Sequence, residues 1–320
     1  MDTWGNLRLK NLPQRYQMNN SANLIELDRT KRLGGIFLLL ITTFFWGMTF
    51  TLVKEAIRHV DVFVFLSQRF LIASLLLLLF CLIRKRPLTL QVLKRGILLG
   101  VFLFASYAFQ TVALRYTSAS NTGFLTGLSV VFVPCMGAFV FAQPISRNVR
   151  WGVVSATLGL FLLCTNGTWR INQGDFLATF CAVCVAWHII LTGKFAPTSD
   201  IYWLTTLQLS IVALLSTIVA RWSGRPVLVW YPEIAWTLVI CILFATVFAF
   251  LVQTHVQRLI SPSHTALLLC MEPVFAALYA YWAANERLGL WGFIGAVLIT
   301  TGMVISQVSA TAKPLKEMPA

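Results

Sequence analysis

Ten separate stretches of this chain stay apolar for about twenty residues at a time, which restricts its fold more than any other feature. They are 33–53, 62–83, 96–115, 117–141, 150–167, 175–193, 201–221, 234–256, 262–283 and 289–309. A helix needs roughly 20 apolar residues to cross about 30 Å of hydrocarbon. A barrel strand would need only about 10, in an alternating pattern. Continuous runs such as Leu75-Leu76-Leu77-Leu78-Leu79-Phe80 do not alternate. Composition agrees: 58% of residues are hydrophobic and 11% charged, whereas soluble domains carry about 25% charged residues. The expectation is an all-α integral membrane protein with ten transmembrane helices, joined by connections too short to hold a soluble domain.

The net charge of +14 would suggest nucleic acid in a soluble protein. Here only Arg69 and Glu272 lie well inside apolar windows, and the other charges sit in tails and connections. A basic groove interleaved with aromatics is missing, so no nucleic-acid partner is expected; the partners are a lipid bilayer and a small molecule. Counting Lys and Arg orients the chain. With the N-terminus inside, the inner segments carry 17 and the outer loops 7, and the largest inner loop holds Arg84-Lys85-Arg86, Lys94 and Arg95. The chain therefore reads as a multi-pass protein of the cell inner (plasma) membrane. A tail of residues 1–32 and a tail of residues 311–320 would both be cytoplasmic. No short apolar stretch with a small-residue cleavage site precedes the first window, so a cleaved signal peptide is not expected.

Seven cysteines, Cys81, Cys135, Cys164, Cys181, Cys184, Cys241 and Cys270, all fall in apolar windows. An odd number of membrane thiols argues for packing rather than a disulfide framework. Cys181-Ala-Val-Cys184 has redox spacing but no second cluster. No His/Cys/Asp/Glu spacing provides three or four metal ligands. Gly127-Leu128-Ser129 lacks the second glycine of a nucleophile elbow, and no phosphate-cradling Gly-Lys-Ser/Thr loop occurs. Neither an enzyme nor a cofactor is expected. Without a nucleotide site, any energy would come from a gradient. Asn166-Gly167-Thr168 fits a glycosylation sequon close to a span end.

The chain also repeats itself. QTVALRYTSASNTGFL, from Gln110 to Leu125, matches QTHVQRLISPSHTALL, from Gln253 to Leu268, at seven of 16 positions with an offset of 143 residues. Asp61 and Gln68-Arg69 lie at the same spacing as Asp200 and Leu207-Gln208, Trp46 corresponds to Trp187, and Trp151-Gly152 to Trp291-Gly292 after a small length difference. Residues 33–167 and 168–310 thus form two five-helix repeats. Because five is odd, the second enters the membrane upside down. Inverted repeats that meet at a midplane site are the architecture of alternating access.

Several local patterns carry a family likeness. In the first half they are Phe45-Trp46-Gly47 with Phe50, Arg69-Phe70 with Ala73, and Ala113-Leu114-Arg115-Tyr116-Thr117-Ser118-Ala119. In the second half they are Gly174-Asp175-Phe176-Leu177, Ala186-Trp187, Glu272-Pro273-Val274-Phe275 and Glu286-Arg287-Leu288. In this order and spacing, over residues 33 to 309, the chain resembles the EamA-type branch of the drug/metabolite transporter superfamily. The resemblance implies a ten-helix, two-repeat carrier, usually an exporter of small metabolites. The first half departs from the pattern. Ser129-Val130 stand opposite Glu272-Pro273, Gln143 stands opposite Glu286, and Pro134 comes four residues beyond the expected proline.

Two midplane charges are the candidate working groups. Arg69 lies eight residues into its window, roughly 12 Å deep at 1.5 Å per residue, where an arginine costs on the order of 2.5–3.5 kcal/mol. Its guanidinium matches a carboxylate or phosphate bidentately; the plainer reading is a bond to backbone carbonyls or snorkelling. Glu272 lies equally deep in the ninth window. Ionised, it could hold an ammonium or pair with Arg69; protonated, it could couple transport to protons; the plainer reading is a structural acid at a helix break. Pro273 frees a carbonyl and favours such a break there. Trp46, Tyr107, Phe109, Gln110, Trp187 and Gln253 are candidate lining residues, since aromatics with a few amides suit an amphipathic solute. His188 and His255 are weaker candidates, and His264 reads as a helix-start group. Gly123 to Gly127 has GxxxG spacing, a packing signal, and the chain reads as a monomer or homodimer. The reading is a secondary transporter exporting an amino acid or related solute. A nucleotide-sugar or phosphorylated-metabolite exchanger is the alternative within transport, and an intramembrane enzyme the alternative outside it.

Overall fold

The computed structural model describes residues 14–117, 119–142, 144–165, 172–284 and 289–310. The candidate sequon, Gln143 and Glu286-Arg287-Leu288 lie outside these residues. Among the described residues the chain is helical and has no strand. In chain order the helices are α1 (Gln14–His59), α2 (Val62–Ile83), α3 (Leu90–Tyr116), α4 (Ala119–Gly127), α5 (Ser129–Phe141), α6 (Arg147–Thr165), α7 (Gln173–Phe195), α8 (Ile201–Trp222), α9 (Pro232–Ile242), α10 (Ala249–Val256), α11 (Pro262–Leu269), α12 (Glu272–Ala284) and α13 (Leu290–Ala310). A π-helical segment, Leu243–Phe248, joins α9 to α10.

Among the described residues seven stretches are long and apolar enough to cross a membrane: Thr30–His59, Val62–Ile83, Leu90–Ala113, Thr122–Val140, Gln173–Thr198, Ile201–Trp222 and Pro232–Val256. The three remaining apolar windows are helical too, as α6, as α11 with α12, and as α13. The protein's outer face is itself apolar. Phe37, Leu79, Phe139, Phe180, Trp236 and Trp282 are all more than half exposed. In water so large a patch would drive association, whereas a bilayer satisfies it.

Polar residues fix where the helices begin. Asp61 accepts from the Phe63 amide at 2.9 Å to start α2, and Asp200 accepts from the Tyr202 and Trp203 amides at 3.0 Å to start α8. A side-chain acceptor at this position satisfies amides that the first turn leaves bare. The repeat match had paired these two aspartates, and they do the same work. Arg115 reaches Asp61 at 3.3 Å, and its repeat counterpart Arg258 bonds the carbonyls of Ala196 and Ser199, just before Asp200.

Two apolar windows are broken, one at the proline where a break was expected and one without a proline at that point. Leu128 separates α4 from α5, and Cys270-Met271 separates α11 from α12. Leu128 and Met271 are 143 residues apart, and each amide turns back to the carbonyl three residues earlier, Leu125 and Leu268 respectively. Pro273 accounts for the second break. The first half keeps the same turn with Val130 in the proline's place.

Glycines bring the helices together. A Cβ on Gly152 would lie 2.7 Å from the Gly302 carbonyl oxygen, and one on Gly302 would lie 2.6 Å from that of Gly152. Gly159 and Gly295 oppose each other in the same way, at 2.6 and 2.5 Å. These four seat α6 directly on the α13 backbone. Gly96 and Gly100 of α3 receive Leu207 and Ile211 of α8. Gly127 abuts Leu160, which gives the GxxxG spacing an intrachain role.

Candidate functional site

One cavity of about 80 Å³ lies in the middle of the bundle, room for on the order of five waters. Its walls come from α1, α2, α3, the α4–α5 turn, α7, α10 and the α11–α12 turn. From Trp46 and Arg69 it runs toward Val53 on α1 and Leu114 on α3. That is the end of the bundle where Lys54 donates to the Thr117 carbonyl and Thr117 donates to Asp175. Toward the other ends of α7 and α10, hydrogen bonds cross the bundle. There Gln257 donates to the Ile189 carbonyl at 2.8 Å, and His188 shares a 2.6 Å hydrogen bond with Gln208.

The π segment holds two of the lining residues, Trp46 and Arg69. A π turn widens the hydrogen-bond ladder and leaves carbonyls available to side chains. Here the Ala245 carbonyl accepts from Trp46 Nε1 at 2.8 Å and from Arg69 Nη2 at 3.1 Å. Arg69 Nε donates to Thr246 Oγ1 at 2.8 Å, and the Thr246 hydroxyl donates in turn to the Cys241 carbonyl. Arg69 Nη2 also reaches the Tyr107 hydroxyl at 3.3 Å, and its guanidinium lies 4.9 Å from the Tyr107 ring centroid. Only 2% of Arg69 is exposed. The arginine is thus held by a carbonyl, a hydroxyl and an aromatic face, with Nη1 left free of any protein acceptor.

Glu272 stands on another wall, at the start of α12 beside Pro273. It forms no ion pair with Arg69, and among the described residues its carboxyl has no hydrogen-bond partner. Gly47 fixes its backbone: a Cβ there would lie 2.7 Å from the Glu272 carbonyl oxygen and 2.8 Å from the Ala276 amide. The Phe-Trp-Gly run of α1 therefore serves both walls, Trp46 tying the π segment and Gly47 admitting the broken helix.

Of the other candidates, Tyr107, Gln110 and Gln253 line the cavity with Trp46. Gln253 is 2% exposed; its Nε2 donates to Gln257 Oε1 at 3.3 Å, and its own Oε1 has no partner. Trp187 lies elsewhere, stacked on Phe102 at 5.8 Å among Cys81, Leu99 and Leu204. The Trp46–Trp187 match of the repeats thus does not extend to the cavity. Phe109 packs on the exposed Phe180 instead of the lining. His188 lines the cavity, His255 is exposed, and His264 bonds Ser261 and the Ser306 carbonyl at the start of α11. Cys181 accepts a hydrogen bond from Thr126, and Cys81, Cys135, Cys181, Cys184 and Cys241 are in no disulfide.

Sequence reasoning missed Ala245, Thr246 and Gln257. Leu243 to Phe248 reads as plain apolar helix, and nothing in it announces a π turn. Gln257 did carry a signal, as the polar residue opposite Leu114 in the repeat match.

The model of the EamA-like transporter family matches this chain twice, at residues 33–165 and 172–307. An "Uncharacterized transporter" of Archaeoglobus fulgidus is 32% identical over 87% of this chain and 87% of its own length. A "Probable amino-acid metabolite efflux pump" of Salmonella typhimurium is 27% identical over 46% of this chain and 48% of its own. A solved crystal structure aligns over 87% of this chain and 97% of its own, with a TM-score of 0.72 and 18% identity, a likeness of fold. The chain belongs to the EamA-like transporter family.

Proposed function

We propose that this membrane transporter is a secondary carrier exporting a small amphipathic metabolite, an amino acid or a close relative, by alternating access. The observation that carries the reading is a central cavity with a buried arginine on one wall and an unpaired carboxyl on another. A solute bearing both an acid and an amine would complement that pair, and the "Probable amino-acid metabolite efflux pump" relative fits the same class. The aromatic faces of Trp46, Tyr107 and Phe250 would take an apolar side chain. Among the described residues Arg69 is the one Lys or Arg lining the cavity, too little charge for a nucleotide sugar.

The carrier consists of ten membrane helices in two inverted repeats, residues 33–167 and 168–310. Three observations support this: the twofold match to the family model, the reciprocal glycines of α6 and α13, and the equivalent breaks at Leu128 and Met271. The distribution of Lys and Arg supports an inner-membrane protein with both termini cytoplasmic. In that orientation the cavity faces outward. Glu272, gaining and losing a proton as the halves rock, couples export to the proton gradient.

The test is efflux from proteoliposomes preloaded with a labelled amino-acid mixture, with and without an imposed pH gradient. Gradient-dependent loss of particular amino acids is expected. No efflux from folded protein would discard the amino-acid reading.

A further inference from the structure

Two cavity-lining side chains hold acceptor oxygens that no group among the described residues serves. Gln253 Oε1 is buried without a partner, and the Glu272 carboxyl has none among the described residues. Buried acceptors are rarely left empty in native proteins, because the desolvation cost is large unless a donor arrives. The Gln253 amide is also oriented. The Ile189 carbonyl can only accept, so Gln257 must present its Nε2 there at 2.8 Å. That leaves Gln257 Oε1 facing Gln253, which must answer with its own Nε2 at 3.3 Å. The chain of three groups therefore commits Gln253 Oε1 as an acceptor in the cavity wall. Arg69 makes no hydrogen bond to either oxygen among the described residues; its bonds go to Ala245, Thr246 and Tyr107.

We propose that Gln253 and Glu272 form an ammonium subsite selecting substrates with a protonated primary amine, and that Gln257 is the positioning residue that aims Gln253. This rests on the transporter reading above and adds a division of labour: the acid of the substrate belongs to the Arg69 wall and the amine to the Gln253–Glu272 wall. A primary ammonium carries three N–H donors and no acceptor, so it suits a site made of acceptor oxygens. An alcohol or a deaminated acid cannot supply that set of donors. The first repeat has Leu114 where the second has Gln257, so Gln110 lacks the partner that orients Gln253. The amine wall belongs to one repeat alone.

The test is ligand binding to purified protein by thermal shift, using L-leucine, L-phenylalanine and L-threonine. Each is set against its deaminated acid: 4-methylpentanoate, 3-phenylpropanoate and 3-hydroxybutanoate. The wild type should prefer at least one amine-bearing member of a pair. Gln253→Leu should lower that preference by roughly tenfold or more, the loss expected when a hydrogen bond to a charged group goes. Gln257→Leu should move the preference in the same direction by less, whereas a merely structural loss would weaken both members of a pair alike. Gln253→Glu keeps an acceptor and should retain or sharpen the preference, which decides the matter if the leucine variant does not fold. Equal binding of both members by the wild type, no binding of either, or full discrimination in folded Gln253→Leu would overturn the subsite. Discrimination by a protein that moves none of these solutes would sink the carrier reading and leave the subsite standing. Transport without discrimination would do the reverse.

Discussion

Replacing Gly295 by alanine should destabilise the protein through one contact whose size the structure gives. An alanine Cβ there would sit 2.5 Å from the Gly159 carbonyl oxygen and 2.5 Å from the Leu163 amide nitrogen, where ordinary contact begins at 3.4 Å. The shortfall of 0.9 Å falls on two backbone atoms of a helix, which cannot rotate away as a side chain can. Helices α6 and α13 must therefore part locally, loosening the neighbouring Gly152–Gly302 contact as well. Overpacking of this kind costs about 1–3 kcal/mol, against which alanine returns about 0.5–1 kcal/mol of helix propensity. The net expectation is a loss of up to about 2.5 kcal/mol, toward the upper end because the clash falls on backbone atoms. Gly34→Ala is the control, because a Cβ there meets nothing within 4 Å; it should be neutral or slightly stabilising. Thermal unfolding in detergent, followed by size exclusion, reads both. The reciprocal geometry adds a sharper demand. Gly152→Ala and Gly295→Ala are equivalent under the 143-residue offset and should cost similar amounts, as should Gly159→Ala and Gly302→Ala. If Gly295→Ala melts like the wild type, or if one member of a pair is silent, the backbone-on-backbone crossing is wrong.

Arg69→Ala should abolish transport yet cost only about 1–3 kcal/mol of stability, because Trp46 still donates to the Ala245 carbonyl and Thr246 still donates to Cys241. Arg69→Lys should not restore transport, since one ammonium cannot copy a fork reaching Thr246, Ala245 and Tyr107 together; proteoliposome efflux and melting temperature separate the two roles. Glu272→Gln should melt at or above the wild-type temperature, because the amide keeps the shape of an unpartnered carboxyl and has no ionised form to desolvate, while gradient-driven efflux should vanish; normal efflux would remove Glu272 from the mechanism. Asp200→Asn keeps the cap of α8 and loses the 2.6 Å ion pair with Arg86, at a cost of about 1 kcal/mol or less. Asp200→Ala should cost about 1 kcal/mol more, the worth of a cap, and equal melting temperatures would deny the capping role. Gly47→Ala should impair efflux more than expression, because its Cβ would press on the Glu272 carbonyl and Ala276 amide rather than on a movable side chain.

The fold was legible wherever a simple rule decides it. Apolar length marked the spans, and α2 begins and ends at Val62 and Ile83 as its apolar window does. Asp61 and Asp200 sit where a helix start needs an acceptor, so the repeat match between them carried structural meaning. The break before Glu272 was foreseeable from Pro273. The break at Leu128 was not, since Val130 gives no chemical reason for it; it is visible only through its mate at Met271. Arg69 and Glu272 stood out because a charge in hydrocarbon is costly enough to demand a reason. Aromatics gave no such discrimination. Trp46 and Trp187 are the same residue at matching positions, yet one donates to a π-turn carbonyl and the other stacks on Phe102.

What pattern could not provide is the asymmetry that turns two similar halves into one site. The carbonyl that holds Arg69 comes from Ala245, whose side chain carries no chemistry, and is exposed by a helical irregularity that apolar periodicity does not encode. Both halves break at the same place, but only one puts an acid there: Ser129 opens α5 where Glu272 opens α12. Both halves carry the glutamine, but only Gln253 has a second amide, Gln257, to hold its orientation. A symmetric duplex would offer a solute two equal sites on opposite walls and no preferred pose. With an acid and a second amide in one half and an arginine in the other, the cavity has a positive wall and an acceptor wall. On the proposed carrier reading a zwitterion would enter such a cavity in one orientation, and the differences between the two halves would then matter as much to function as their likeness does to the fold.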